Sequence, residues 1–240
     1  MLEGEDVKRM GILGGMAPES TIEYYRIITT LCRRRGMGHN YPVIIIRSLN
    51  FQEFIDLVES GDLPKLVTKL CEGVNSLCNA GAEFALMASN TPHIVFEDVA
   101  ARSPIPLLSI VEETGRAAKD SGFGKVGLFG TKYTMQDGFY NNLLSKKYGV
   151  SVVVPEGNDQ DYIHDKIMTE LVIGRVISKT RRELSKIAQR LVDKEGIEAL
   201  ILGCTELPLI LSEEILGIPV LDTTRIHAEA ALDFCLGSGS

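Results

Sequence analysis

The chain has 240 residues, 45% of them hydrophobic and 24% charged, which is enough for one large α/β domain or two small ones around a sizeable buried core. A formal net charge of −7, with acidic and basic residues scattered along the chain, leaves no electrostatic footprint for nucleic acid. No stretch approaches the roughly 20 apolar residues that cross a bilayer, and the opening MLEGEDVKRM lacks the basic-then-apolar order of a signal peptide, so a cytoplasmic location away from membranes is expected.

The first strand candidate is KRMGILGG (8–15). A helical pattern follows from Pro18 to Arg34, with Ile22, Tyr25, Ile28 and Leu31 at three-residue spacing and Pro18 suited to an early helical position. YPVIIIRS (41–48) reads as a second strand, Pro64–Asn79 as a helix, and FALMASNTPH (84–93) as a third strand ending in a polar turn. IPLLS (105–109) and the helical stretch Ile110–Ser121 complete a first series. The series then restarts: GKVGLFGT (124–131), YGVSVVVP (148–155), the helix Thr180–Lys194, ALILGCTELP (199–208), IPVLD (218–222) and the helix Thr224–Leu236. The terminal GSGS resembles a linker and carries no weight in the fold.

The restart is in register. Gly11 falls on Gly127 and Gly14 on Gly130 at an offset of 116, while Gly81, Glu83, Met87 and Ser89 fall on Gly196, Glu198, Leu202 and Cys204 at 115. Apolar runs bounded by Gly, Pro or polar residues, separated by helical patterns, indicate strands buried on both faces of a parallel sheet. The expected fold is therefore α/β, with two pseudo-symmetric lobes, each a small four-stranded parallel sheet flanked by helices, and the active site between them. Residues 1–104 plus 217–240 are assigned to the first lobe and 105–216 to the second.

Ligands of open α/β sheets bind beyond the carboxyl ends of the strands, where GGM, RSLN, SNT, GT and CTE lie. Cys204 leaves a buried strand where backbone N–H groups and a helix dipole would lower a thiol pKa, making it the best base or nucleophile candidate. Ser89 holds the matching place; it is either a turn or N-cap residue or a partner of Cys204, although a hydroxyl is a far poorer proton relay than a thiol. Asn90, Thr91 and Thr205 suit either capping or a carboxylate. Arg47 is either a solvated rim charge or a carboxylate partner. His93 and His227 read as surface or packing histidines able to orient a nearby acid, and Glu170 and Glu206 as solvated helix faces. Gly11, Gly14 and Gly15 do not have dinucleotide-fingerprint spacing and more simply allow close backbone approach. Cys32, Cys71, Cys78, Cys204 and Cys235 are an odd number without CxxC or zinc spacing, so neither disulfides nor a metal is expected.

Assembled, GILGGMAPESTIEYY, SNTPH, LFGTKYTM, FY (139–140), ELVIGR and LGCTELP resemble the aspartate/glutamate racemases, the cofactor-independent amino-acid racemases, over nearly the whole length. The resemblance implies two lobes enclosing an acidic amino acid, with one cysteine removing the α-proton and another protonating the opposite face, and no pyridoxal phosphate or other cofactor. The first motif is typically CNT and here reads SNT, so one thiol is replaced by Ser89. By position, the resemblance makes Cys204 the acid/base on the L side and Glu170 an assisting carboxylate, and it raises Glu206, which stands where some relatives have a histidine, to a further catalytic candidate. It has Asn90, Thr91, Thr131 and Thr205 hold the α-carboxylate and ammonium, Met16, Arg47 and Ser48 line the pocket, and Arg47 or Lys166 take a side-chain carboxylate. It further implies a homodimer. A decarboxylase-like reaction needing only Cys204, and a silent carboxylate-binding protein, are the competing expectations.

Overall fold

The computed structural model describes residues 7–237, so that GSGS apart from Gly237, and most of the segment before Met10, lie outside the described residues. In chain order the first half runs β1 (Met10–Gly14), α1 (Pro18–Arg34), β2 (Ile44–Ser48), α2 (Phe51–Ser60), α3 (Leu63–Asn79), β3 (Phe84–Met87), α4 (Phe96–Arg102), β4 (Leu107–Leu108) and α5 (Ile110–Asp120). The second half runs β5 (Lys125–Gly130), α6 (Lys132–Gln136), α7 (Phe139–Leu143), β6 (Ser151–Val153), α8 (Gly157–Thr169), α9 (Ser178–Glu195), β7 (Ala199–Gly203), α10 (Glu213–Leu216), β8 (Val220–Asp222) and α11 (Thr223–Cys235).

The strands form two parallel four-stranded sheets of the same order, β2-β1-β3-β4 and β6-β5-β7-β8. That order explains which apolar runs are buried. β1, β3 and β7 are buried at every residue and β5 at all but Lys125, because each has a neighbour on both sides and helices over both faces. β2, with as apolar a run, has a neighbour on one side only and remains exposed from Ile46 to Ser48, in contrast to the expectation of strands buried throughout.

Two compact units result. One holds the chain through Ile110 and the segment from His227 onward; the other holds Val111–Ile226. Because β4 pairs with β3 and β8 with β7, the divisions fall after Ile110 and Ile226, not after 104 and 216 as the repeat boundaries suggested. The helix after each fourth strand belongs to the other unit: α5 to the second but for its first residue, and α11 to the first from His227 onward.

In the first unit Met10 and Ile12 of β1 and Phe84 and Leu86 of β3 face Tyr24, Ile28, Leu31 and Cys32 of α1 and Ala228, Ala231, Leu232 and Cys235 of α11. Each large aliphatic side chain so buried contributes about 1.5–3 kcal/mol of transfer free energy. The opposite side of the sheet meets α3, whose Gly73 leaves room for Leu13. The buried stripe of α1 is Tyr24, Ile28, Leu31 and Cys32, not the ladder that begins at Ile22; Ile22 is 67% and Tyr25 50% exposed. At about 100° per residue, three steps of three turn the ladder through half a circle, so it cannot stay on one face. In the second unit the i, i+3, i+4, i+7 stripe Leu184, Ile187, Ala188 and Leu191 of α9 is buried, and Gly127 of β5 lies against Leu191 and Ile197.

Candidate active site

Sheet register gathers the chemistry-bearing turns of each unit. In the first, Gly14 pairs with Ser48 and Leu13 with both Arg47 and Met87, so the turns after β1, β2 and β3 emerge side by side. The chain after β1 turns tightly: Gly15 has φ 85°, its N–H donates to Thr21 Oγ1 at 2.9 Å, and a Cβ on Gly14 would lie 2.2 Å from the same hydroxyl. These glycines thus serve close packing of chain on chain. Met16 is buried beyond them, whereas Arg47 and Ser48 are exposed on the edge strand. Asn50 closes the β2 turn by accepting the N–H groups of Gln52 and Glu53, which caps α2.

After β3, Ala88 N–H still donates to Leu13 O at 2.9 Å, and the chain then turns through Ser89, Asn90 and Thr91. Ser89 is half-buried; Asn90 and Thr91 are buried. Two residues on, His93 is 4% exposed, and His227 of α11 is fully buried, so of the surface and packing readings the packing one holds for both. His93 Nδ1 lies 3.0 Å from Ser89 O, and its Nε2 accepts the Ile110 N–H at 3.2 Å. His227 Nε2 lies 3.1 Å from Leu108 O, and its Nδ1 is 2.7 Å from Tyr24 Oη. A carbonyl can only accept and a main-chain N–H can only donate, so His93 is neutral with its proton on Nδ1; in His227 the Leu108 carbonyl fixes a proton on Nε2, while the Tyr24 hydroxyl can serve Nδ1 in either sense. Burial pulls the His93 pKa down to about 3, helped by the neighbouring His227, and that of His227 to about 4.

In the second unit Gly130 of β5 pairs with Gly203 of β7, which sets Thr131 and Cys204 side by side one residue beyond the ladder. Thr131 caps α6 through Thr134 N–H at 3.3 Å. Cys204 is half-buried, and its Sγ–H donates to Glu206 Oε2 at 2.8 Å; the Thr205 hydroxyl donates to the same oxygen at 2.7 Å. Glu206 is 5% exposed, so it is no solvated helix face. The turn after Cys204 leads only into a three-residue 3₁₀ turn, Leu207–Leu209, without a long helix behind it. Burial, and then the Glu206 carboxylate, push the thiol well above its ordinary range, and the Glu206 and Thr205 backbone N–H groups offset this only in part. The thiol is therefore protonated at rest, opposite to the expectation of a pKa lowered by a helix terminus. Glu170 ends α8 and is mostly buried; it accepts the Thr180 hydroxyl at 2.5 Å and pairs with Lys166 at 3.1 Å, and both hold its pKa down, Thr180 most.

Two buried tyrosines lay within the motifs of the sequence reading but were given no role there. Tyr24 meets His227 in one unit, and Tyr140 hydrogen-bonds Thr114 and Thr223 in the other, with Thr223 Oγ1 donating to Leu202 O at 2.9 Å. Tyr24 and Tyr140 stand at the same offset of 116 as the repeat glycines, and that spacing was the available signal. Among the described residues no group of three or more His, Cys, Asp or Glu is placed to hold a metal ion, the five cysteines are free, and no helix is long and apolar enough to cross a membrane.

The comparisons with known proteins agree with this architecture. The family model for Asp/Glu/hydantoin racemases matches residues 13–231. A crystal structure from Yersinia pestis, of a protein described as an Asp/Glu racemase candidate, is similar at 37% identity and TM-score 0.88, covering 95% of this chain and 99% of that one. An aspartate racemase homologue from Pyrococcus horikoshii is similar at 35% identity and TM-score 0.82, with the same coverage of both chains. The broad specificity amino-acid racemase of Bacillus subtilis is 24% identical over 233 residues, 93% of this chain and 96% of its own length. The chain belongs to the Asp/Glu/hydantoin racemase family.

Proposed function

We propose that the protein is a racemase acting at the α-carbon of an acidic amino acid, aspartate or glutamate, without pyridoxal phosphate, and that Cys204 is its principal acid/base. The observation that carries the reading is the thiol–carboxylate pair of Cys204 and Glu206 at the end of β7. A thiol protonated at rest is an acid; to act as a base it must first lose its proton, and Glu206 Oε2 is in hydrogen-bond reach to take it. The thiolate then removes the α-proton: the C–H bond breaks, an S–H bond forms, and the electron pair spreads into the substrate carboxylate. That charge calls for aimed hydrogen-bond donors in a site shielded from water. Asn90, Thr91, Thr131 and Thr205 are assigned to the α-carboxylate and ammonium, and Met16, Arg47 and Ser48 to the pocket lining. Glu170 is the second assisting carboxylate.

Ser89, at the position matching Cys204, is assigned to the opposite face of the substrate, returning a proton directly or through water. A hydroxyl is a much weaker acid than a thiol, so activity towards L and D enantiomers is strongly unequal. The protein is further assigned a cytoplasmic location and a homodimeric state. The test is incubation of L- and D-aspartate and glutamate in D2O, with α-proton exchange followed by NMR beside optical rotation. Exchange with inversion is expected, faster from the L side, and Ser89→Cys raises the D-to-L rate. Loss of carbon dioxide from a malonate-type acid without amino-acid exchange would point instead to a decarboxylation served by Cys204 alone. Binding without any exchange would overturn the proposal.

A further inference from the structure

The hydrogen-bond ladder between β3 and β4 ends at Leu86↔Leu108, before the turn that carries Ser89. Past that point the His93 side chain continues the tie. The His93 ring donates from Nδ1 to Ser89 O at 3.0 Å and accepts the Ile110 N–H on Nε2 at 3.2 Å, spanning the chain beyond β3 and the chain beyond β4. The residue is also part of the turn itself, since its own N–H donates to Asn90 O at 3.0 Å. Its plane is fixed by stacking on Phe96, with ring centroids 5.1 Å apart and planes 4° from parallel, and by the edge of His227 at 6.3 Å. An apolar side chain of similar size would fill this space equally well. What only a neutral imidazole supplies is a donor on one nitrogen and an acceptor on the other, each aimed at a main-chain group.

We propose that His93 is the positioning residue of the Ser89–Thr91 turn, its ring replacing the backbone ladder where β3 and β4 stop pairing and thereby setting where the Ser89 hydroxyl stands. Resting on the racemase reading, this means that His93 governs return of the proton on the Ser89 side and leaves its removal by Cys204 untouched. A general packing role would weaken both steps together.

Three variants separate the two bonds. Asn places an amide donor near the position of Nδ1 and keeps the Ser89 contact; Gln places an amide oxygen near Nε2 and keeps the Ile110 contact; Leu keeps neither. With L-aspartate and L-glutamate in D2O, α-deuteration in His93→Leu is expected to stay within about threefold of the parent protein while inversion falls about 10- to 100-fold, the range for a misplaced reacting group. His93→Asn restores most of the inversion and His93→Gln does not. Equal loss of exchange and inversion in all three variants, or no loss in His93→Leu, would overturn the proposal. Hydrogen exchange at the Ile110 amide reports the tie without any substrate: protection is expected to drop in His93→Leu and His93→Asn and to persist in His93→Gln. If the parent protein exchanges no α-proton, the racemase reading fails, while the Ile110 amide still decides the claim about the turn: unchanged protection in His93→Leu refutes it.

Discussion

Acid should destabilise the first unit well before its carboxylates are protonated. His93 and His227 are held neutral with pKa values of about 3 and about 4. In the unfolded chain both titrate near 6.5. Both folded values lie below the unfolded one, so the unfolded chain binds more protons at every pH below about 6.5. Native stability from this source is complete above that pH and is lost as the pH falls, down to about 4 for His227 and about 3 for His93. At pH 5 each histidine costs about 2 kcal/mol, and the two together about 4 kcal/mol, a large share of a typical domain stability of about 5–15 kcal/mol. For a chain of this size that is a fall in Tm of roughly 8–16 °C between pH 7 and pH 5. Carboxylates whose pKa is lowered, such as Glu170 beside Thr180 and Glu198 under the Lys125 and Gly124 N–H groups, act only below this window. Urea unfolding followed from pH 7 to pH 5 should show uptake of about two protons near pH 5.5, and His93→Gln should halve it. A stability flat across that range, or a slope unchanged in His93→Gln, would refute the assignment of buried neutral rings.

Glu206→Gln removes the charge beside Cys204, so the thiol pKa falls; alkylation of the Cys204 peptide by iodoacetamide, read by mass spectrometry, should begin at lower pH than in the parent protein, and the reverse order would contradict the pairing. Cys204→Ala should lower racemisation by about 10²- to 10⁴-fold, the usual cost of a general acid or base, with circular dichroism unchanged. Gly14→Ala sets a methyl group against the Thr21 hydroxyl and should destabilise by about 1–3 kcal/mol in urea unfolding. Tyr140→Phe removes a hydroxyl shared with Thr114 and Thr223 deep in the second unit and should cost about 1–3 kcal/mol, with no change in the pH dependence set by the histidines.

The strands were legible because the central ones are continuous apolar runs bounded by Gly and polar turns, and because the repeat wrote each of them twice. α1 was placed from Pro18 to Arg34, but its inward face was not, since three-residue spacing drifts round a helix of 3.6 residues per turn. The unit boundaries were hidden in β4 and β8, which are too short to mark where one unit yields to the next. Cys204 was found by its strand-end position, while its protonation state depends on the Glu206 carboxylate folded back onto it, which no pattern of apolar residues encodes. His93 and His227 were left open between surface and packing for a similar reason. Their partners include main-chain groups of Ile110 and Leu108, and the distant Tyr24 hydroxyl, whose nearness only the folded chain creates.

The exchange of terminal helices between the units bears on how such a protein could be halved. A polypeptide ending at Asp120 would carry β1–β4 without Ala228, Ala231, Leu232 and Cys235, and would uncover the part of its sheet that α1 does not reach, while α5 lacked the neighbours it packs on, Tyr148 among them. A half-length chain therefore lacks a helix that its own sheet needs, and truncation after the fourth strand and its helix is not expected to leave a self-sufficient fold.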